Sequence, residues 1–263
     1  MSLRSSITRR FYRYAPFVRG HFNYYGHTIY FPLGSHIFER ACAEGVYEYE
    51  TTNLILSLVE SSTTYIDVGA NIGLLSVPVL AERPGVKVLS IEASPKTLQF
   101  LQKTRDAATR REDWTIVGVA VGSARGEAEF WSTGGALGAF DGLRDTGRGG
   151  PKSPVRVPVR TLDEIWRDNG SPAVSVIKID IEGGETEAIK GGRACVSATK
   201  PFLIIEWSAL NLPANGIHPD VLLQLCCEMG YRAYAFPSLI PIDTKPILKI
   251  AMARTETFVL VPK

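Results

Sequence analysis

The stretch from Tyr65 to Ser76, YIDVGANIGLLS, constrains the fold more than any other part of the chain. Tyr65-Ile66-Asp67-Val68 is β-branched and aromatic, reads as the end of a buried strand, and runs straight into glycines. Gly69, Asn71 and Gly73 then make a turn into a helix expected from about Gly73. Strand, glycine turn and helix in that order open a parallel α/β sheet, whose ligands sit beyond the carboxyl end of the first strand. Small residues there let the backbone approach a ligand, and the helix N-terminus favours an anionic group. A dinucleotide site would need G-x-G-x-x-G, but Asn71 stands where the second glycine belongs and the third is displaced.

Downstream the apolar rhythm repeats as strand–helix units, and acids gather at the strand ends. Val86 to Ser94 reads as the second strand, with Glu92 at its carboxyl end, where a carboxylate can accept from both vicinal hydroxyls of a ribose. Ser94-Pro95 is a helix start, a Ser cap followed by Pro in the first turn. The third strand is expected over Trp114 to Val121. Val174 to Ile181 is almost continuously apolar, as a central parallel strand should be, with Lys178 and Asp180 the exceptions. Asp180 and Glu182 stand at its carboxyl end, and a helix begins at Glu185. The fifth strand, Pro201 to Trp207, ends at Glu206. Asp67, Glu92, Asp180 and Glu206 thus mark the carboxyl ends of four strands, the side on which such sheets do chemistry.

Ahead of this series, His21 to Phe31 predicts a strand or hairpin around Gly26, and Tyr49 to Val59 a helix with Glu48 and Glu50 near its positive end. Between Gly122 and Thr161 the rhythm breaks. Gly126 to Trp131 and Val155 to Leu162 read as strands, and the glycine-rich Ser132 to Ser153 between them reads either as a lid or acceptor-recognition loop, or as a surface insertion. The chain closes with a helix from about Pro219 to Met229, a strand Tyr231 to Phe236, a proline-broken loop PSLIPIDTKP, and a strand Thr257 to Val261 that suits an antiparallel edge.

A chain of 263 residues fits one α/β domain with additions, expected as an N-terminal extension over 1–45 and a domain over 46–263 carrying an insert at about 123–162. The net charge of +2 argues against a large uniform phosphate-binding face. Cys42, Cys195, Cys226 and Cys227 show neither zinc-ligand spacing nor a disulfide framework, so reduced thiols in a cytoplasmic protein are expected. No apolar run of spanning length is present, and the first residues lack the apolar core of a secretory signal. Arginines interleaved with aromatics over residues 1–20 suit either an anionic surface, a peripheral membrane contact included, or packing against the domain.

With these residues in place, the sequence resembles the FkbM family of S-adenosylmethionine-dependent methyltransferases. The acid-x-G-x-N-x-G pattern at Asp67 to Gly73 is similar to the first motif of such enzymes. Tyr47-Glu48, YIDVGANIG at Tyr65 to Gly73, RTLDE at Arg160 to Glu164, IKIDIEGGE at Ile177 to Glu185 and IIE at Ile204 to Glu206 match in order, across about residues 45 to 210. Gly184 departs from the bulkier residue often found there. The resemblance implies a class I, Rossmann-like α/β fold: a mostly parallel seven-stranded sheet with helices on both faces. It implies S-adenosylmethionine as methyl donor, and O-methyl transfer to a hydroxyl of a sugar, glycolipid or polyketide-like metabolite. The cofactor positions it points to are Tyr47, Glu48, Asp67, Gly69, Ala70, Asn71, Gly73, Glu92, Ala93, Ser94 and Asp180, with Ala120 facing the adenine by position alone.

Transfer to oxygen needs an aligned nucleophile and a base near the methyl. Asp180 and Glu182 are the first candidates, because two carboxylates at one strand end repel and one is raised in pKa. Glu206 is next and His218 last, while positioning of the methionyl ammonium is an equal role for Asp180. Hard oxygen ligands at Asp180, Glu182 and Glu206 suit magnesium, but nothing in the spacing demands it, and no metal is expected. The rival readings are an RNA methyltransferase, a non-catalytic S-adenosylmethionine-binding protein and a nicotinamide oxidoreductase. Against the first, the segment after the fourth strand is Asp180-Ile181-Glu182-Gly183 rather than an N/D-P-P-Y type, and nucleic acid is not an expected partner.

Overall fold

In the computed structural model, which describes residues 20–33, 35–133 and 138–263, alternating burial folds His21–Tyr24 (β1) against His27–Tyr30 (β2) as an antiparallel hairpin. Gly26 makes its turn at φ +78°. Two helices follow, His36–Glu44 (α1) and Tyr49–Leu58 (α2). Ser35 caps α1 by accepting from the Phe38 amide at 3.3 Å, a start that the sequence reading passed over.

The main sheet is built from Thr64–Val68 (β3), Lys87–Ile91 (β4), Trp114–Val117 (β5), Val174–Ile179 (β9) and Phe202–Glu206 (β10), all parallel, in the order β5-β4-β3-β9-β10. Tyr231–Ala235 (β11) and Thr257–Pro262 (β13) add an antiparallel edge, as expected. An eighth strand of two residues, Ile240–Pro241 (β12), lies outside β11. The central strands β3 and β9 are buried along their whole length, so alternate side chains feed two cores. Ile66, Val68, Leu89 and Ile177 face one core, whereas Tyr65, Val88, Val176 and Ile204 face the other. Helices Ser76–Glu82 (α3) and Pro95–Asp106 (α4) pack with the second group. Helices Leu162–Asp168 (α5), Glu185–Gly191 (α6), Arg193–Thr199 (α7), Val221–Met229 (α8) and Lys245–Met252 (α9) pack with the first.

Three differences from the sequence expectation have physical causes. The helix after the glycine turn starts at Ser76, because residues 71–75 remain in turns. The expected strand Trp114 to Val121 divides: beyond β5 the chain passes close under α4, where a Cβ on Gly118 would stand 2.5 Å from Leu98. Ala120–Val121 (β6) then leaves the main sheet and pairs in parallel with Ser153–Arg160 (β8), itself antiparallel to Gly126–Ser132 (β7). Finally, α9 begins at the last two residues of the expected loop PSLIPIDTKP and fills the unassigned stretch after it, since Pro246 sits in the first turn, where no backbone donor is needed. The basic aromatic segment over residues 1–19 and the glycines at 134–135 lie outside the described residues. Among the described residues no helix is long and apolar enough to cross a membrane.

Candidate functional site

Parallel pairing in register brings the ends of β3, β4 and β9 level. Gly69 donates its amide to the Ile91 carbonyl at 2.9 Å, and Asp180 donates its amide to the Val68 carbonyl at 3.0 Å. The glycine turn does two different jobs. Gly69, at φ +84°, is pressed so close to the next strand that a Cβ would meet the Asp180 carbonyl oxygen at 1.9 Å. Gly73, at φ +92°, packs instead beneath Leu101 and Trp114, with a Cβ at 3.0 and 3.1 Å. Gly69 is therefore a site glycine and Gly73 a packing glycine.

A cavity opens above these strand ends, lined by Asp67, Gly69, Ala70, Asn71, Glu92, Ala93, Ala120 and Asp180, together with Tyr47. Glu92 is fixed by the chain on both sides: one carboxylate oxygen accepts from the Ser94 amide at 2.7 Å, the other from the Asn71 amide at 2.9 Å. Each oxygen keeps a further lone pair for a ligand hydroxyl. Burial lifts the Glu92 carboxyl to about 7 against the pull of those two amides. Asp67 ends a buried hydrogen-bond chain. Trp114 donates its indole N–H to Ser90 at 2.8 Å, Ser90 and Ser76 are 2.8 Å apart, and Ser76 donates to Asp67 at 2.6 Å.

Three carboxylates close the far side. The oxygens of Asp180, Glu182 and Glu206 lie within 4.8 Å of one another. Asp180 is ion-paired to Lys178 at 2.6 Å. Burial opposes its ionisation, but the Lys178 ammonium prevails and holds the carboxyl below its ordinary value. The neighbours go the other way: burial, then the charge of Asp180, raises Glu182 to about 8 and Glu206 well above the usual carboxylate range. Glu182 is held at φ +56°, a left-handed conformation that costs a residue with a Cβ. Such oxygens suit a hard divalent cation. Lys178 and Arg148 already bring positive charge to them, so no metal role is assigned.

The insert folds over this cluster. Arg148 reaches Glu182 at 3.3 Å and Asn211 Oδ1 at 3.1 Å, while Asn211 donates to Glu206 at 3.1 Å. The Arg148 guanidinium also stacks 5.0 Å over Phe140, whose carbonyl accepts from the fully buried Lys152 ammonium at 2.6 Å. Asp141 lies in the cavity wall beside Ala139 and Leu143, held by Ser132 at 2.8 Å and by the Thr133 amide at 2.7 Å. The sequence reading missed Asp141 and Arg148 and treated Lys178 only as an exception within a strand. No periodic signal marks the first two, because they sit in the irregular glycine-rich insert.

Five of the residues anticipated from the sequence lie outside the cavity, Glu206 among them, in the carboxylate cluster and the adjoining groove. Gly73 packs as described, and Ser94 acts through its amide on Glu92 without lining the cavity. Glu48, the left-handed residue ahead of α2, lines the adjoining groove. His218 lines neither space: three quarters exposed, it accepts from the Asp220 amide at 3.3 Å, as expected of a loop histidine capping a turn. The groove, about 800 Å³, shares Tyr47, Lys178, Asp180 and Glu182 with the cavity and continues past Glu206, Tyr49, Phe140 and Arg254.

A mostly parallel sheet with an antiparallel edge, and a cavity at the carboxyl ends of its first strands, defines a class I methyltransferase fold. The solved structure of a methyltransferase FkbM from Methylobacillus flagellatus KT shares this fold with a TM-score of 0.51 at 20% identity, over 85% of this chain and 52% of that one. The family model for the methyltransferase FkbM domain matches residues 67–233, and the chain belongs to that family. Its methyl donor is S-adenosylmethionine. The 2-O-methyltransferase NoeI of Sinorhizobium fredii (strain NBRC 101917 / NGR234) is 25% identical over 71% of this chain and 82% of its own length. The ribosomal RNA small subunit methyltransferase G of Mycoplasmopsis pulmonis (strain UAB CTIP) is 36% identical over 67 residues, 26% of this chain. The chain spans only 29% of the length of that protein and about half of the solved FkbM chain.

The cavity's chemistry fits the donor. Glu92 offers a hydroxyl acceptor on each oxygen, apolar walls at Val119, Val121 and Leu143 suit a planar base, and Asp67 and Asp180 suit a cationic end.

Proposed function

We propose that the protein is an O-methyltransferase acting on a hydroxyl of a sugar, glycolipid or polyketide-like metabolite, with Glu182 as the general base. The observation that carries this reading is the meeting of cavity and groove at Tyr47, Lys178, Asp180 and Glu182. The donor, when bound, supplies a methyl carbon already activated by its sulfonium. Glu92 accepts from the ribose hydroxyls, and Asp180, kept anionic by Lys178, attracts the methionyl ammonium. Glu182 would take the proton of the acceptor hydroxyl on a carboxylate oxygen as the hydroxyl oxygen gained the methyl, the electron pair of the broken carbon–sulfur bond staying with sulfur as a neutral thioether, so that the product would leave as a neutral ether. Arg148 steadies Glu182 and brings the insert against the acceptor. In this reading the insert belongs to the catalytic domain over 46–263, and helix α1, from the expected extension over 1–45, adds Ile37 to the donor cavity and His36, Arg40 and Glu44 to the groove.

Groove chemistry supports a polyhydroxylated acceptor. Glu44, Glu48, Glu50 and Glu206 offer acceptors to hydroxyl donors, while Tyr49 and Phe140 offer flat apolar surfaces. Of these, Glu48 and Glu50, which carry no ion pair among the described residues, would repel a phosphate backbone, which weighs against RNA. The similarity to a 2-O-methyltransferase along most of both chains points the same way. The test is mass spectrometry of glycolipid, glycan and secondary-metabolite pools incubated with purified protein and isotopically labelled donor, with total RNA as a parallel substrate. One labelled methyl on a defined hydroxyl is expected. Label in RNA alone, or donor bound without turnover on any hydroxylated pool, would overturn the reading.

The assignment of Glu92 carries its own expectation. Glu92→Ala should weaken donor binding by roughly tenfold to a hundredfold, the loss of charged hydrogen bonds worth about 1.5–3 kcal/mol, when measured by calorimetry. Unchanged affinity would remove Glu92 from the ribose.

A further inference from the structure

Among the described residues, eight large apolar side chains are exposed, and half of them fall within one short stretch: Leu239 at 53%, Ile240 at 48%, Ile247 at 36% and Ile250 at 61%. Leu239 precedes the outermost strand of the sheet, β12, and Ile240 opens it. The other two lie three residues apart on α9, beside Leu248 and Ala251, which enter the core. The Thr255 hydroxyl ties these pieces together by donating to the Phe236 carbonyl at 2.6 Å, just before the turn that carries Leu239. Phe236, Pro237, Met252 and Arg254 line the groove, so the apolar stretch borders its mouth.

Charge decides what covers this face. Asp243 is neutralised by Arg232 at 2.6 Å and Asp220 by Lys245 at 2.7 Å, while Glu256 is turned to the groove, accepting from the Ser208 hydroxyl at 2.5 Å. Lys249 and Arg254, both exposed, make no ion pair among the described residues. Exposed isoleucines on a helix that also carries the free Lys249, with the free Arg254 just beyond its end, match the chemistry of a bilayer interface, with apolar side chains among acyl chains and cations among anionic headgroups. A second copy of the chain seated on this face would bring a second pair of unpaired cations, its own Lys249 and Arg254, to the same small area.

We propose that Leu239, Ile240, Ile247 and Ile250, with Lys249 and Arg254, form a docking surface for an anionic lipid membrane, with the groove mouth at its border. The surface does not depend on which hydroxyl is methylated, and its test does not read methyl transfer. The full-length protein is sedimented with sucrose-loaded vesicles of phosphatidylglycerol and phosphatidylcholine, and with phosphatidylcholine alone. Binding to the anionic vesicles is expected, weaker by roughly fivefold or more on the neutral ones. The triple variant Leu239→Ser/Ile247→Ser/Ile250→Ser should lower the partition coefficient by about tenfold or more, and Lys249→Glu/Arg254→Glu by a similar factor. Circular dichroism and melting temperature check that each variant is folded. Absence of vesicle binding overturns the proposal, as does binding that the folded triple variant retains, which would move the contact to another segment such as the arginines at 4–19. A dimer in analytical ultracentrifugation that the triple variant abolishes would also overturn it, in favour of a second copy.

Discussion

Gly69→Val is expected to abolish measurable donor binding and to lower the melting temperature by roughly 5–15 °C. Two independent costs combine. At φ +84° a residue with a Cβ enters the left-handed region, at about 1–2 kcal/mol, more for a β-branched one. The added carbon would also stand 1.9 Å from the Asp180 carbonyl oxygen, a backbone atom that cannot move without dragging the end of β9. Relief by such a shift would carry Asp180 and Glu182 out of register with Glu92, so affinity falls together with stability. A total of about 2–4 kcal/mol gives the quoted range for a domain of this size. Gly126→Ala is the control, since a Cβ there meets nothing within 4 Å. Its melting temperature and affinity should stay at the wild-type values. Calorimetry with S-adenosylmethionine and thermal denaturation read both, and wild-type behaviour of Gly69→Val would show that the turn does not press on β9.

That turn was legible in the sequence because its demands are local. A buried strand and a glycine that must hold a left-handed conformation each leave marks within a few residues, whereas the uncapped start of α3 at Ser76 left none. The same holds for the strand-end acids, since a hydrophobic run that ends in Asp67, Glu92, Asp180 or Glu206 states its own direction. The charge state of those acids was not legible. Lys178 lies two residues before Asp180, hence on the same face of β9, and that pairing separates a carboxyl held low from two pushed high. Sequence spacing showed the repulsion among the acids, but not which cation would relieve which of them.

The groove was harder still to foresee, because distant segments build it. Tyr47 and Tyr49 come from the start of α2, Phe140 and Arg148 from the insert, and Arg254 from beyond α9. The insert lacks periodicity, so Asp141 and Arg148 gave no pattern, and their roles arise from contacts with Thr133, Glu182 and Asn211. Helix α9 was hidden for a related reason. The prolines at 237, 241 and 246 read as breakers, whereas a proline in the first helical turn breaks nothing.

Glu182→Gln is expected to lower kcat by about 10²–10⁴-fold while leaving donor affinity within roughly threefold, the pattern of a lost general base. The pH profile tells the three acids apart. A base works deprotonated, so a carboxyl raised to about 8 makes the wild-type rate climb about tenfold per pH unit below that value and level off above it. Were Asp180 the base, the limb would lie in the acid range, because Lys178 holds that carboxyl below its ordinary 3.8. Were Glu206 the base, its carboxyl, raised well above the usual range by burial and by the charges of Asp180 and Glu182, would be relieved when Glu182 is neutralised. Glu182→Gln would then move the limb to lower pH and leave the rate above it intact. Arg148→Gln adds a sign check on the first assignment. Its guanidinium favours the charged form of Glu182, so its loss should move the limb to higher pH, with the plateau rate recovered in alkali. A limb that stays near 8 in Glu182→Gln, with kcat preserved on the plateau, would assign the proton to another group.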